Sequence, residues 1–259
     1  MYIMFKMLFI TIFCMIVVNL NEARGHSPLR VYKGRPDLRN EFPFVVLFQL
    51  KKPPYFRSCT GSLISETLVL TAEHCLSPVH IRTNIVRYGE FTLPGNETKL
   101  YSEILKVFLP KAETIDIGIA LVQKISKPRA KLLAIDYKTL YGLPAKYAGF
   151  GRTLSDIYGT SLEERYRMSS VPLQVGEGMI VPCPKSVIPS YRVCVVSKCS
   201  DRWQATRQGD SGGPLVYNGD IVGVVHGAVL YPTISYEFCM ISSYLEWIQG
   251  VMRFNGYKI

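Results

Sequence analysis

The chain has 259 residues, 48% of them hydrophobic, which excludes a disordered polar polymer and allows one domain-sized core or two closely packed halves. Its 30 basic and 20 acidic residues give a formal net charge of +10. The basic residues are scattered along the chain and do not form a tract, so neither nucleic acid nor a membrane surface is expected as a partner.

In chain order, Lys6 precedes an apolar run over residues 7–18, and the small residues Ala23 and Gly25 follow. A basic start, a short apolar stretch and a small-x-small site form a secretory signal; the run is too short to span a bilayer comfortably. Residues 1–25 are therefore expected to be a signal peptide removed after Gly25, and the mature chain to be extracellular. Without residues 1–30 the chain keeps 27 basic and 19 acidic residues, a net charge of +8.

From there the sequence is a succession of short runs rich in β-branched and aromatic residues, bounded by Gly, Pro, Asn or Asp. These runs predict strands over residues 44–50, 68–72, 104–108, 117–122, 146–150, 191–196 and 221–225. Such a rhythm suggests an all-β barrel or sandwich. One helix is predicted in the tail, where Tyr244, Leu245, Ile248, Val251 and Met252 share a face at helical spacing. An internal boundary falls at residues 141–144, with a cleft between the two halves as the natural place for chemistry.

Of the 7 cysteines, Cys14 leaves with the signal; Cys59, Cys75, Cys183, Cys194, Cys199 and Cys239 remain. An even number in an exported chain implies three disulfides, and composition does not choose among the pairings. Cysteine and histidine spacing carries no metal-binding pattern. The carboxylates Glu97 and Glu103 match no calcium loop, and no cofactor is expected. Asn96-Glu97-Thr98 is a sequon for N-glycosylation.

The sharpest chemical signal is Gly209-Asp210-Ser211-Gly212-Gly213-Pro214. Glycines on both sides let a tight turn present the serine hydroxyl and let backbone N–H groups converge on one point, as an oxyanion hole requires. A serine needs a base to take its proton and a carboxylate to orient that base. Among the histidines, His26 lies in the segment to be removed, His80 in a polar turn, and His226 ends a buried-looking strand. His74 remains, at a strand end beside Cys75. Asp116 opens the apolar run 117–122, where a buried carboxylate needs a partner.

The order His74, Asp116, Ser211, within Thr71-Ala72-Glu73-His74-Cys75, Asp116-Ile117-Gly118-Ile119-Ala120-Leu121 and Gln208-Gly209-Asp210-Ser211-Gly212-Gly213-Pro214-Leu215, resembles the chymotrypsin-like serine proteases. The resemblance covers residues 31–259. It implies two six-stranded antiparallel β-barrels with a C-terminal helix and a triad between them. In that triad Ser211 is the nucleophile, His74 the general base and Asp116 the group that fixes its tautomer, with the N–H groups of Gly209 and Ser211 forming the oxyanion hole. Arg30-Val31-Tyr32-Lys33-Gly34 resembles the family's activation junction. Residues 26–30 would then be a propeptide, and cleavage after Arg30 would free the Val31 amino group to pair with Asp210. The resemblance further implies protein or peptide substrates, an activating trypsin-like protease, protein inhibitors as partners and a monomeric state.

The same resemblance implies the bridges Cys59–Cys75 and Cys183–Cys194. Arg207 stands where the family's third bridge has a cysteine, so Cys199 and Cys239 are left and are expected to pair. The specificity pocket is expected at Ala205, Thr206, His226, Gly227 and Ala228. Ala205 takes the place of the aspartate that trypsin-like members use, so non-tryptic specificity is expected, for a small or apolar side chain. His226 replaces a serine that supports the triad aspartate; it can donate to Asp116 in that serine's place or simply fill a remodelled wall. Glu73 puts a charge beside the base. The alternative to an active enzyme is a protease homologue that keeps the fold and works as a binding or regulatory protein.

Overall fold

The computed structural model describes residue 31 and residues 34–52, 57–89, 100–111, 116–151, 172–183, 192–197, 204–229 and 235–258. The expected signal segment, the expected propeptide with Arg30, the Asn96 sequon and Cys199 lie outside the described residues.

Two antiparallel sheets carry the molecule. Before residue 123 the strands are β1 (Arg35–Pro36), β2 (Val45–Leu50), β3 (Arg57–Leu63), β4 (Leu68–Thr71), β5 (Asn84–Tyr88), β6 (Leu100–Ser102), β7 (Ile104–Phe108) and β8 (Gly118–Val122). After it come β9 (Pro144–Gly149), β10 (Gln174–Pro182), β11 (Arg192–Ser197), β12 (Pro214–Tyr217), β13 (Asp220–Val229) and β14 (Ser235–Met240). The first sheet runs β6-β5-β2-β3-β4-β8-β7, and the second β1-β10-β11-β14-β13-β12-β9. Because β9 also pairs with β10, six strands of the second sheet close into a barrel, with β1 added at its side. A short helix α1 (Pro78–Thr83) follows the His74 turn, and α2 (Leu245–Phe254) ends the chain.

The continuous apolar runs have a definite origin. Val46, Phe48, Val69, Ala120 and Val122 fill the interior of the first barrel. Their neighbours in the chain, Val45, Leu47, Leu68, Leu70, Ile117 and Ile119, face the other way, into a cluster shared with Ala148, Phe150, Val175, Val216, Ile221 and Val224 of the second sheet. Strands buried on both faces show no polar alternation, and here the second face is covered by the other barrel. Helix α2 seals the same cluster with Ile248 and Val251; burying one such side chain stabilises by about 1.5–3 kcal/mol.

Each strand predicted from an apolar run is present, with ends moved by a few residues, and so is the tail helix. The expected boundary at residues 141–144 coincides with the start of β9, the first main strand of the second barrel. Strands β1, β3, β5, β6, β10, β12 and β14 were not anticipated. Strand β3 (RSCTGSL) is polar in composition and β10 (QVGEGMIVP) is interrupted by glycines. Their partners across the sheet, not their own periodicity, hold them extended.

The bridges Cys59–Cys75 and Cys183–Cys194 are formed. The third expected bridge is not: Cys239 is a free, buried thiol. It sits within β14 between Arg192 on β11 and Val224 on β13. A disulfide needs a partner Cα within about 7 Å, and the one cysteine on these flanking strands, Cys194, is already bridged to Cys183. Burial pushes the Cys239 thiol up to about 12.

Candidate active site

The site lies on the seam between the barrels. His74 belongs to a one-turn 3-10 helix, Glu73–Leu76, that begins just after β4. The Cys59–Cys75 bridge ties this turn to β3. Nδ1 of His80 in α1 lies 3.1 Å from the His74 carbonyl oxygen, so the residue assigned to a polar turn braces the loop.

Asp116, just before β8, is 8% exposed. Its Oδ1 accepts from the His74 backbone N–H at 3.0 Å, and the His74 Nδ1 lies 3.0 Å from Oδ1 and 2.9 Å from Oδ2. Burial would raise the Asp116 carboxyl, but hydrogen bonds from His226 and then His74 outweigh it and hold the group well below the usual carboxylate range. The same bond to Asp116 raises the His74 imidazole above its ordinary 6.5, against the effect of burial. Glu73 is itself raised by burial and by the nearby Asp116 charge.

Ser211 stands in a turn closed by Asp210 N–H to the Arg207 carbonyl and Gly213 N–H to the Asp210 carbonyl, both at 2.9 Å. Gly209 at φ +100° and Gly212 at φ +83° adopt conformations that side chains disfavour. A Cβ on Gly212 would meet Thr71 Oγ1 at 2.0 Å. The turn is fastened to the first barrel by Thr60, whose N–H donates to the Ser211 carbonyl at 2.8 Å and whose hydroxyl donates to the Gly209 carbonyl at 2.8 Å. The Thr60 hydroxyl also accepts from Phe150 N–H at 3.0 Å. Cys75 Sγ lies 3.7 Å from the Ser211 carbonyl oxygen, which places the serine turn against the His74 loop. Among the hydrogen bonds of the described residues, none joins the Ser211 hydroxyl to the His74 ring; such contacts often tighten only when substrate is bound.

Asp210 is fully buried and accepts from Gly151 N–H and Arg207 N–H, each at 2.7 Å. Val31, expected to carry the freed amino group, is buried in the core of the second barrel together with Tyr147, Ala205 and Tyr236. In the expected pocket Ala205 is 2% and Thr206 5% exposed. Gly227 pairs with Glu237, and Ala228 with Tyr236. Sequence reasoning missed Tyr236, which is 2% exposed and packs 6.5 Å, centroid to centroid, from the Tyr147 ring.

His226 occupies a β-bulge: Val225 pairs with Phe238 and Gly227 with Glu237, leaving it without an opposite residue. Bulges re-aim side chains, and this one points Nδ1 at Asp116 Oδ2, with which it is hydrogen-bonded. Of the two roles left open for His226, contact with Asp116 is the one observed. Behind it, Glu237 Oε2 lies 3.9 Å from His226 Nε2 and 2.6 Å from Arg192 Nη1. Glu237, Arg192 and Thr60 carried no sequence signal, since each owes its position to a partner strand.

Two barrel-like sheets packed face to face, with a histidine–aspartate pair on one and a glycine-framed serine on the other, define the chymotrypsin-like class of fold. The trypsin family profile matches residues 31–248, and the chain belongs to that family. Similar proteins include trypsin of Xenopus laevis, 26% identical with 94% of this chain and 99% of that protein covered. Mast cell protease 3 of Ovis aries and duodenase-1 of Bos taurus are each 29% identical, with 86% and 88% covered. Among solved structures, HL collagenase superposes with a TM-score of 0.63 at 19% identity, covering 87% of this chain and 99% of that one. A scabies mite inactivated protease paralogue gives a TM-score of 0.64 at 20% identity, with 85% and 99% covered. Trypsin-like proteases act on proteins or peptides. Among the described residues no helix is long and apolar enough to cross a membrane.

Proposed function

We propose that this chain is a secreted serine endopeptidase, inactive until cleaved after Arg30, which hydrolyses peptide bonds following small residues. The carrying observation is the His74–Asp116 pair, held by the contacts of both Asp116 oxygens, on the seam where Thr60 fastens the Ser211 turn. In this reading His74 takes the Ser211 proton as the hydroxyl attacks the carbonyl carbon, then returns it to the leaving amine. Asp116 keeps the Nδ1 proton in place and stabilises the imidazolium. The Gly209 and Ser211 N–H groups receive the oxyanion. Cleavage after Arg30 frees the Val31 ammonium to pair with the buried Asp210 carboxylate.

The preference for a small side chain rests on Ala205, which offers no charge, and on Tyr236, whose ring is packed into the same cluster as Ala205. A peptide library on the cleaved enzyme should favour Gly, Ala or Ser before the scissile bond. Tyr236→Ala should extend cleavage to Leu and Phe.

The test of activity is a fluorophosphonate probe on Arg30-cleaved protein. Ser211 should be labelled, and His74→Ala should slow labelling by about 1000-fold or more. A second reading is favoured by the extra imidazole on Asp116 and by the packed Tyr236: a protease homologue acting by binding. If the cleaved chain resists the probe while a control protease reacts, the second reading holds and the first fails.

A further inference from the structure

Two imidazoles converge on one carboxylate oxygen. His74 Nδ1 lies 2.9 Å from Asp116 Oδ2, and His226 Nδ1 is in contact with the same oxygen. One ligand atom from each of the three residues lies within 4.8 Å of the others. Around a tetrahedral zinc ion with bonds of about 2.0–2.2 Å, neighbouring ligand atoms stand roughly 3.3–3.5 Å apart, so small outward shifts of the rings would admit a metal. We propose that His74, Asp116 and His226 form a binding site for a divalent transition-metal ion of the zinc type, with water in the fourth position.

The donor set decides the class of ion. Calcium and magnesium require six or more ligands, nearly all oxygen, whereas two imidazole nitrogens and one carboxylate oxygen suit zinc. Access is open, because the His74 side chain is 47% and the His226 side chain 28% exposed. Asp116 Oδ1 stays anchored by the His74 backbone N–H while Oδ2 serves the metal.

The independent support is Glu237. Glu237 Oε2 stands 3.9 Å from His226 Nε2, and Arg192 holds that carboxylate in place. A metal on Nδ1 leaves the ring proton on Nε2, the atom that faces this carboxylate. Metal-bound histidines characteristically donate their second ring N–H to a carboxylate in this way.

Metal entry also acts on the reaction, and that consequence rests on the endopeptidase reading. With the metal on Nδ1 of His74, the proton that sat there passes through solvent to Nε2. A neutral ring releases no net proton, but Nε2 no longer has a lone pair to accept one from Ser211. The site is therefore inhibitory, and removing the metal restores the base.

The test uses Arg30-cleaved, chelator-stripped protein titrated with Co²⁺. One equivalent should bind with the absorption of a tetrahedral cobalt centre and be displaced by Zn²⁺ but not by Mg²⁺ or Ca²⁺. Fluorophosphonate labelling should fall in parallel and return with chelator. His226→Asn keeps an amide N–H for Asp116 but no ligand nitrogen, and should weaken binding by at least about 100-fold; Glu237→Gln should weaken it by about 10–100-fold. Equal affinity in His226→Asn, or no tetrahedral cobalt spectrum from the wild-type chain, overturns the proposal. Should His226→Asn not fold, ring-proton resonances of the wild type decide: Zn²⁺ must shift those of His74 and His226, and a shift confined to His80 refutes the site. Failure of the metal-free enzyme to label would sink the endopeptidase reading alone, since the cobalt titration does not depend on turnover.

Discussion

Thr60→Val replaces a fully buried hydroxyl with a methyl group of nearly the same shape. The hydroxyl donates to the Gly209 carbonyl at 2.8 Å and accepts from Phe150 N–H at 3.0 Å, so the change removes the partner of two buried backbone groups. Each such loss costs about 1–3 kcal/mol, and the added methyl returns at most about 0.8 kcal/mol. The variant should lose about 1–5 kcal/mol in urea denaturation of the cleaved chain. Because Gly209 carries one of the proposed oxyanion donors, loosening its carbonyl should also slow fluorophosphonate labelling, by roughly 10–100-fold. Thr60→Ser keeps the hydroxyl and should recover most of both quantities. A Thr60→Val protein within about 0.5 kcal/mol of the parent, labelling at the parent rate, would refute the idea that this hydroxyl fastens the serine turn to the first barrel.

Catalysis needs neutral His74, whose imidazole is raised above 6.5, so the acid limb of kcat/KM should lie above that pH. Glu73→Gln removes a charge that helps raise it and should move the limb to lower pH; a limb already below 6.5 in the parent would contradict the assignment. The two groups act oppositely on stability. The contribution of His74 is complete below pH 6.5 and is lost as pH rises through its raised folded value. That of Asp116 is present above pH 3.8 and is lost as pH falls through its lowered folded value, a pattern that urea midpoints measured across pH should reproduce. Gly151→Ala would place a Cβ 2.4 Å from Asp210 Oδ2 and should cost more than about 3 kcal/mol in the same denaturation assay; a loss under about 1 kcal/mol would show that Asp210 can move aside. Cys239 should resist iodoacetamide in the folded chain and react once unfolded without reductant, whereas a requirement for reductant would restore the bridge to Cys199.

The legible parts of the sequence were those in which local chemistry and final position coincide. The runs at residues 44–50, 68–72 and 117–122 are apolar because both faces are covered, one by their own barrel and one by its neighbour. The glycines beside Ser211 are dictated by backbone conformation, which leaves a mark in any sequence. The polar strand β3 and the glycine-broken β10 left no such mark, because only their cross-strand partners make them extended. The expected third disulfide failed for the same reason, since counting cysteines ignores which strands flank Cys239.

By itself the sequence determined the all-β architecture, the tail helix and the identity of His74, Asp116 and Ser211 as the chemical candidates, while the two bridges that formed came from the resemblance its motifs carry. Only the tertiary structure decided that His226 turns out of a bulge onto Asp116, that Glu237 and Arg192 stand behind it, and that Tyr236 and Ala205 share one buried cluster. Asp116 and His226 are 110 residues apart in the chain, and no local periodicity encodes such a separation. The register of β13 against β14 does, and that register is fixed by the packing of the whole barrel.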